Sequence, residues 1–578
     1  MKLHFAVFLA ICSMLVGLAE AQETPVLPDL APRQVEITGD LTISFPSLRR
    51  QPLIGFNPPP TVPAIPDERR PYSETYKQVG ADLPPSPLVP PAPPAVSTFA
   101  SRRANSGRVT IQAGRYLDRL VDADVELLRD EIQTVTASVS YFGTDGHDNT
   151  PTGGSTGRDL FDADVRWRRA AGPGLLGLQA GLIRNSWSLV GATPIPGSLS
   201  LQNPERTASA VHLGAGWGSR PGARLPYNLD VKWTSSEVET DIFDPAVRVD
   251  PSTDRHENRL FGSGRVTVPV ASWTAGIAAS GVLSGLDESG TVSLGTASNG
   301  DARIFVASAP GRRLELEIGA TLLAIDSDAQ GAGTTSRSES FLVPSGKLRY
   351  WLSESTSFFA GSDPGLARHT SLTLLSDNPF VRDEPFILPD LYSMRGFAGF
   401  MGTSRYTEWE VQAGFDRAPS YGYHAASPTP LAGYSTGYFD RLIDEMDRYY
   451  VESSFALILS PAFHSGVGAT VQQTELDATG EDVPFVSPLS VRGWIQGSGF
   501  DGQLDVLTEL LFESARDRDT ARTLETDDYY RFSLKARYNV RPDFAITLGL
   551  RHLFSEPDFF SGQPLEESAV HVGVGWRW

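Results

Sequence analysis

The sequence predicts an all-β protein, a large antiparallel transmembrane β-barrel of about 22 strands behind an N-terminal proline-rich extended arm. Three observations predict it. From Gly107 onward apolar residues recur at every second position. The chain ends on an alternating aromatic segment, Val570 to Trp578. It begins with an export signal, and no later stretch approaches the ~18–20 unbroken apolar residues that a membrane-spanning helix needs.

The signal comes first. Lys2, the apolar run Phe5 to Leu18, and Ala19-Glu20-Ala21 before Gln22 read as a Sec-type leader over residues 1–21, with Ala19, Ala21 and Gln22 marking the cleavage site. The single cysteine, Cys12, leaves with the leader. The mature chain then has no disulfide, no thiolate metal site and no thiol nucleophile. A lipoprotein signal would need a small residue before Cys12, where Ile11 stands.

Residues 22–106 are the arm. Eighteen of the 43 prolines fall between 22 and 96, which removes backbone donors and favours extended chain over a packed sheet. One island, Arg33 to Phe45, alternates Val35, Ile37, Leu41, Ile43 and Phe45 around Gly39 and could pair as a short hairpin. A tethering linker and a segment that binds a partner or threads the next domain both fit. All ten tryptophans lie beyond the arm, from Trp167 on.

Residues 107–578 are the barrel. Val121, Ala123, Val125 and Leu127 alternate with Asp122, Asp124 and Glu126. Phe161 to Trp167 alternate with Asp162, Asp164 and Arg166, and Tyr227 to Trp233 with Asn228, Asp230 and Lys232. The same pattern recurs at Leu314–Ala320, Tyr530–Tyr538 and Phe544–Leu550, and more weakly in some fourteen further segments. A soluble sandwich would also alternate. Aromatics at segment ends (Trp167, Trp217, Trp233 and Tyr538) instead suit an interfacial girdle, and an opposite parity rich in glycine and both charge signs suits a lumen. Acidic insertions at Asp145–Arg158, Ser235–Glu257, Asp326–Glu339, Asp440–Arg448 and Arg516–Asp527 are expected as outer loops.

The last segment sharpens the choice. Val570, Val572, Val574, Trp576 and Trp578 share one parity against His571, Gly573, Gly575 and Arg577. It resembles the C-terminal insertion signal of bacterial outer-membrane barrels, in which the final strand closes against the first. Asn378-Pro379-Phe380-Val381-Arg382-Asp383-Glu384-Pro385 resembles, with its Pro and Glu displaced, the Asn-Pro-x-Leu-x-Pro-Glu element of TonB-dependent outer-membrane receptors. With the strand count and the leader, it makes their barrel the best match for residues 107–578. The resemblance implies a plug of about 130 residues and an energy-coupling box. Residues 22–106 are too few and too proline-rich for that plug, and Glu36-Ile37-Thr38 is a poor coupling box. A wide barrel without a plug leaks, so the arm, an inward loop or a separate protein must fill it; the arm or a partner is the expected occupant.

Chemistry beyond transport finds little support. A net charge of −20 excludes wrapping nucleic acid. The eight mature histidines have no metal-site spacing. Asp326-Ser327-Asp328-Ala329-Gln330-Gly331 copies the start of a calcium loop, but position twelve is Arg337. Asp122/Asp124 and Asp162/Asp164 read as solvated lumen wall rather than a glycosidase pair. His212 and His464-Ser465 lie on strands with nothing to show convergence on a nucleophile. Gly262-Ser263-Gly264 and Gly497-Ser498-Gly499 read as thin wall or turns. No enzyme and no cofactor are expected. The expected function is uptake of an unidentified solute, with a passive porin or a scaffold docking through residues 22–106 as alternatives. Expected partners are outer-membrane lipid and lipopolysaccharide, the barrel-assembly machinery and a periplasmic protein on the arm.

Overall fold

The computed structural model describes residues 106–578, apart from 131, 147–156, 190–204, 221, 242–252, 289–291, 310–312, 330–336, 382–387, 427–438, 520–524 and 552–567. The leader and residues 22–105 of the arm lie outside the described residues, and with them Ala19, Ala21, Gln22 and the island around Gly39.

The first strands are β1 Gly107–Gly114, β2 Arg119–Arg129, β3 Gln133–Thr144, β4 Arg158–Ala171, β5 Gly174–Ser188 and β6 Glu205–Ser219. Next come β7 Tyr227–Asp241, β8 Thr253–Val270, β9 Trp273–Glu288, β10 Val292–Ser308, β11 Leu314–Ala329, β12 Arg337–Trp351 and β13 Thr356–Ser362. Three short elements interrupt the wall: β14 Gly365–Ala367, helix α1 Ser371–Asp377 and β15 Asp390–Tyr392. The wall resumes with β16 Met394–Thr403, β17 Thr407–Ala426, β18 Phe439–Ser460, β19 Phe463–Leu476 and β20 Leu489–Gly499. It ends with β21 Leu504–Glu513, β22 Tyr529–Arg541, β23 Phe544–Arg551 and β24 Ala569–Arg577.

Each wall strand pairs antiparallel with the next, β13 pairs with β16, and β24 returns to β1. With β14 and β15 off the wall, the barrel is closed by 22 strands. Closure leaves no backbone edge to desolvate. The seam pairs Arg108 with Arg577 through Gly114 with His571.

Parity sets the facing. On β11 Leu322 is 46% exposed and its neighbour Leu323 is 0% exposed. The exposed parity includes Ile111, Leu213, Ile318, Leu342 and Val572, a belt that only lipid covers without cost. Turns of two residues join β4 to β5, β8 to β9 and β22 to β23 on the rim that carries Gly107 and Trp578. In the β2–β3 turn, Asp130 Oδ1 accepts from the amides of Ile132 (2.8 Å) and Gln133 (2.7 Å). These bonds hold its carboxyl below the usual range.

The sequence-based outer loops need correction. Asp440–Arg448 lies inside β18, a strand of 22 residues, and β7, β8, β11 and β12 take in parts of Ser235–Glu257 and Asp326–Glu339. About ten residues suffice to cross the bilayer, so these strands run on above it. There both faces meet water or protein, and charge no longer alternates.

Candidate functional site in the lumen

Between β13 and β16, residues 363–381 and 388–392 lie within the lumen and are held against its wall on two sides. Their local structure follows from sequence. The Thr370 side chain accepts from Thr373 N and the Thr373 hydroxyl from Thr370 N, which starts α1. Asn378 is extended, as a residue before proline must be, and stops the helix. Its Oδ1 then accepts from Phe380 N at 3.0 Å, closing an Asx turn.

Wall residues grip this segment in order. Asp363 accepts from Arg303 of β10 and Lys347 of β12, each at 3.0 Å. Arg368 donates to Asn299 Oδ1 (2.7 Å), Ser280 Oγ (2.8 Å) and Asp301 Oδ1 (2.6 Å) on β9 and β10. Arg259 of β8 donates to the His369 carbonyl at 2.5 Å, and Glu257 accepts from the Ser371 hydroxyl at 3.0 Å. Leu375 packs with Trp187, Ala208 and Val238 of β5, β6 and β7. Arg206 of β6, only 1% exposed, donates to the carbonyls of Pro379 (2.6 Å) and Val381 (2.5 Å).

The far wall takes over at once. Val381 forms a parallel bridge with Phe439 of β18, whose amide donates to Phe380 O at 3.1 Å. Arg441 of β18 donates to Leu388 O (3.0 Å) and Asp390 Oδ1 (3.2 Å). Asp390 also accepts from Gly422 N of β17 at 3.0 Å, and its Oδ2 sits 2.9 Å from His369 Nε2. Leu388 and Leu391 close an apolar cluster with Leu323 and Ile325 of β11. The chain therefore reaches from β6 to β18, ten steps round a ring of 22 strands. Charge-assisted bonds from arginine to carbonyl and carboxylate oxygens are the strong kind, so the lumen is spanned by a fastened segment.

The residues singled out from sequence fall elsewhere. Val570, Val572, Val574, Trp576 and Trp578 all point outward and are exposed. Trp217 and Tyr538 also face outward, two and three residues from the strand ends on the terminal rim. Trp233, outward as well, stands further from that rim, paired with Leu213. Trp167 has its indole donating to Gln133 Oε1 at 3.2 Å. Inside, Asp122 and Asp124 pair with Arg108. Asp164 lies 3.2 Å from the buried His212 ring, reached over Gly181, where a Cβ would stand 2.4 Å from the imidazole. His464 Nε2 meets only the Pro461 carbonyl, at 3.4 Å. Asp326 and Asp328 lie on β11, paired with Ser338 and Thr296, while Gln330 and Gly331 lie outside the described residues. No group of three metal-ligating side chains occurs among the described residues. Asn378 to Val381 belong to the crossing segment, and Arg382 to Pro385 lie outside the described residues.

Sequence reasoning missed Arg206, Arg259, Arg368, Asp390 and Arg441. A helix cap and an Asn-Pro stop in an otherwise strand-forming chain were the available signals.

No family model matches the chain, and no curated protein matches it in sequence. Solved structures do match in fold. The FrpB iron transporter from Neisseria meningitidis (F3-3 variant) aligns with a TM-score of 0.64 at 9% identity, over 83% of this chain and 82% of that one. The siderophore receptor PiuA from Acinetobacter baumannii gives 0.60 at 9%, over 83% and 82%. The ferric yersiniabactin uptake receptor FyuA from Yersinia pestis gives 0.59 at 11%, over 82% and 80%. The chain thus has the 22-strand outer-membrane barrel fold of TonB-dependent receptors.

Proposed function

We propose that this chain is an outer-membrane transporter for a small solute, with residues 363–381 and 388–392 forming the gate of its lumen. One observation carries the reading: the wall arginines 206, 259 and 441 hold the segment across the lumen from two sides. A segment fastened across the lumen on two sides suits a receptor that admits one solute from a closed resting state better than an open diffusion pore. The similar structures include an iron transporter and a siderophore receptor, which supports a metal chelate as the solute. Residues 22–106 are then a periplasmic arm available for coupling to a partner.

Liposome swelling tests the reading. Proteoliposomes of the wild-type barrel should resist swelling in disaccharide, and those lacking residues 371–388 should swell. Equal rapid swelling in both would establish a passive porin instead.

A further inference from the structure

On β22, β23, β24 and β1 there is no Asp or Glu at all, although the chain carries 69 acidic residues. The outward parity of these strands is Tyr530, Tyr538, Ile546, Leu548, Ile111 and the terminal valines. The inward parity therefore presents Arg531, Lys535, Arg537, Arg551, Arg577 and Arg108 to the lumen. We propose that this wall binds multiply charged oxyanions, with Lys535, Arg537 and Arg577 as its principal contacts.

This wall carries more cations than salt bridges to hold them. Arg108 and Arg577 stand directly opposite each other across the closing seam, a like-charge placement that destabilises a sheet. Arg537 is only 6% exposed, and Asn539 Oδ1, at 3.1 Å from its Nε, is its hydrogen-bond partner. Arg577 Nε is buried with no partner, a cost normally avoided. The surrounding carboxylates have other partners. Asp505 stands opposite Arg537 in the β21–β22 register without forming a salt bridge to it, and accepts from Ser498 Oγ at 2.6 Å; Glu509 pairs with Arg492 at 2.5 Å, and Asp122 and Asp124 pair with Arg108. Arg551 instead stacks over Phe142. Among the described residues, Lys535, Arg537 and Arg577 have no ion-pair partner.

The floor between them is low. Gly549, Gly573 and Gly575 face inward beside Thr547, whose hydroxyl accepts from Gln112 Nε2 at 3.2 Å. Planar guanidinium forks above such a floor suit phosphate or carboxylate groups. The inference rests on the lumen being the solute's path and adds that the solute carries several oxyanion groups.

Titration of the purified, detergent-folded barrel with inorganic pyrophosphate tests it. Binding should saturate, weaken at high salt, and fall about tenfold for each of R537Q and R577Q, while R119Q leaves it unchanged. Should either variant fold poorly, the wild-type protein still decides. Pyrophosphate should slow acetylation of Lys535, read by mass spectrometry, more than that of Lys232 on β7. Absent saturable binding, or equal protection of the two lysines, would overturn the site. A barrel that swells freely in disaccharide yet binds pyrophosphate would fail only the gate reading.

Discussion

Arg441 reaches Asp390 by passing over the bare backbone of Gly422, where a Cβ would lie 2.2 Å from its Nη2. The same glycine donates its amide to that carboxylate at 3.0 Å. One position on β17 thus makes room for the clamp and contributes to it. Removing one partner of a buried ion pair leaves a desolvated charge, at a cost of about 3–5 kcal/mol. R441A should therefore raise hydrogen exchange across α1 by a hundredfold or more while exchange in the wall strands stays unchanged.

On the opposite wall Arg206 holds two carbonyls. R206Q loses charge-assisted bonds of about 1.5–3 kcal/mol each. In liposomes it should swell faster than wild type in disaccharide, and R206Q/R441A faster than either single variant.

Leu375 is 5% exposed against Trp187, Ala208 and Val238. L375A should cost about 2–5 kcal/mol through transfer and cavity terms. The loss should register as local opening of α1 in hydrogen exchange, because the hydrogen-bonded wall unfolds independently of this contact.

Asp377 closes α1, where the helix dipole opposes an anion. Desolvation pushes its carboxyl above the ordinary 3.8, and nearby His369 pulls it partly back. A raised value means that the docked segment binds the proton more tightly than the released one. Its stabilisation is full below pH 3.8 and is lost as pH rises through the raised value. D377N should remove that part of the pH dependence of α1 exchange and slow the exchange at neutral pH.

Gly107 and Trp578 exchange backbone hydrogen bonds of 3.1 and 3.2 Å at the seam. A Cβ on Gly107 would stand 2.3 Å from the indole. G107V should reduce the fraction that refolds to the heat-modifiable form on gels, with the folded form less resistant to urea.

The wall was legible because one face meets lipid, so apolar residues recur by twos wherever strands cross the bilayer. Val570 to Trp578 and Tyr530 to Tyr538 are cases in point. Legibility failed where that face ended. Asp440 to Arg448 mixes charges on both parities because the outer part of β18 stands above lipid. The crossing segment was unreadable for another reason. Arg206 and Pro379 are 173 residues apart, and nothing local to either announces the other. Its internal structure, a capped helix stopped by Asn378-Pro379, was written in the residues. That it entered the lumen depended on partners contributed by ten wall strands, from β5 to β18.

Single-barrel conductance in planar bilayers tests the closed lumen most directly. Val381 and Phe439 are bridge partners, and a C12S background removes the chain's one native thiol. A fastened segment predicts silence from the wild type, and from V381C/F439C/R441A silence when oxidised and bursts of opening after reduction. Large steady openings of the wild type, or openings of the variant that ignore the disulfide, would contradict it.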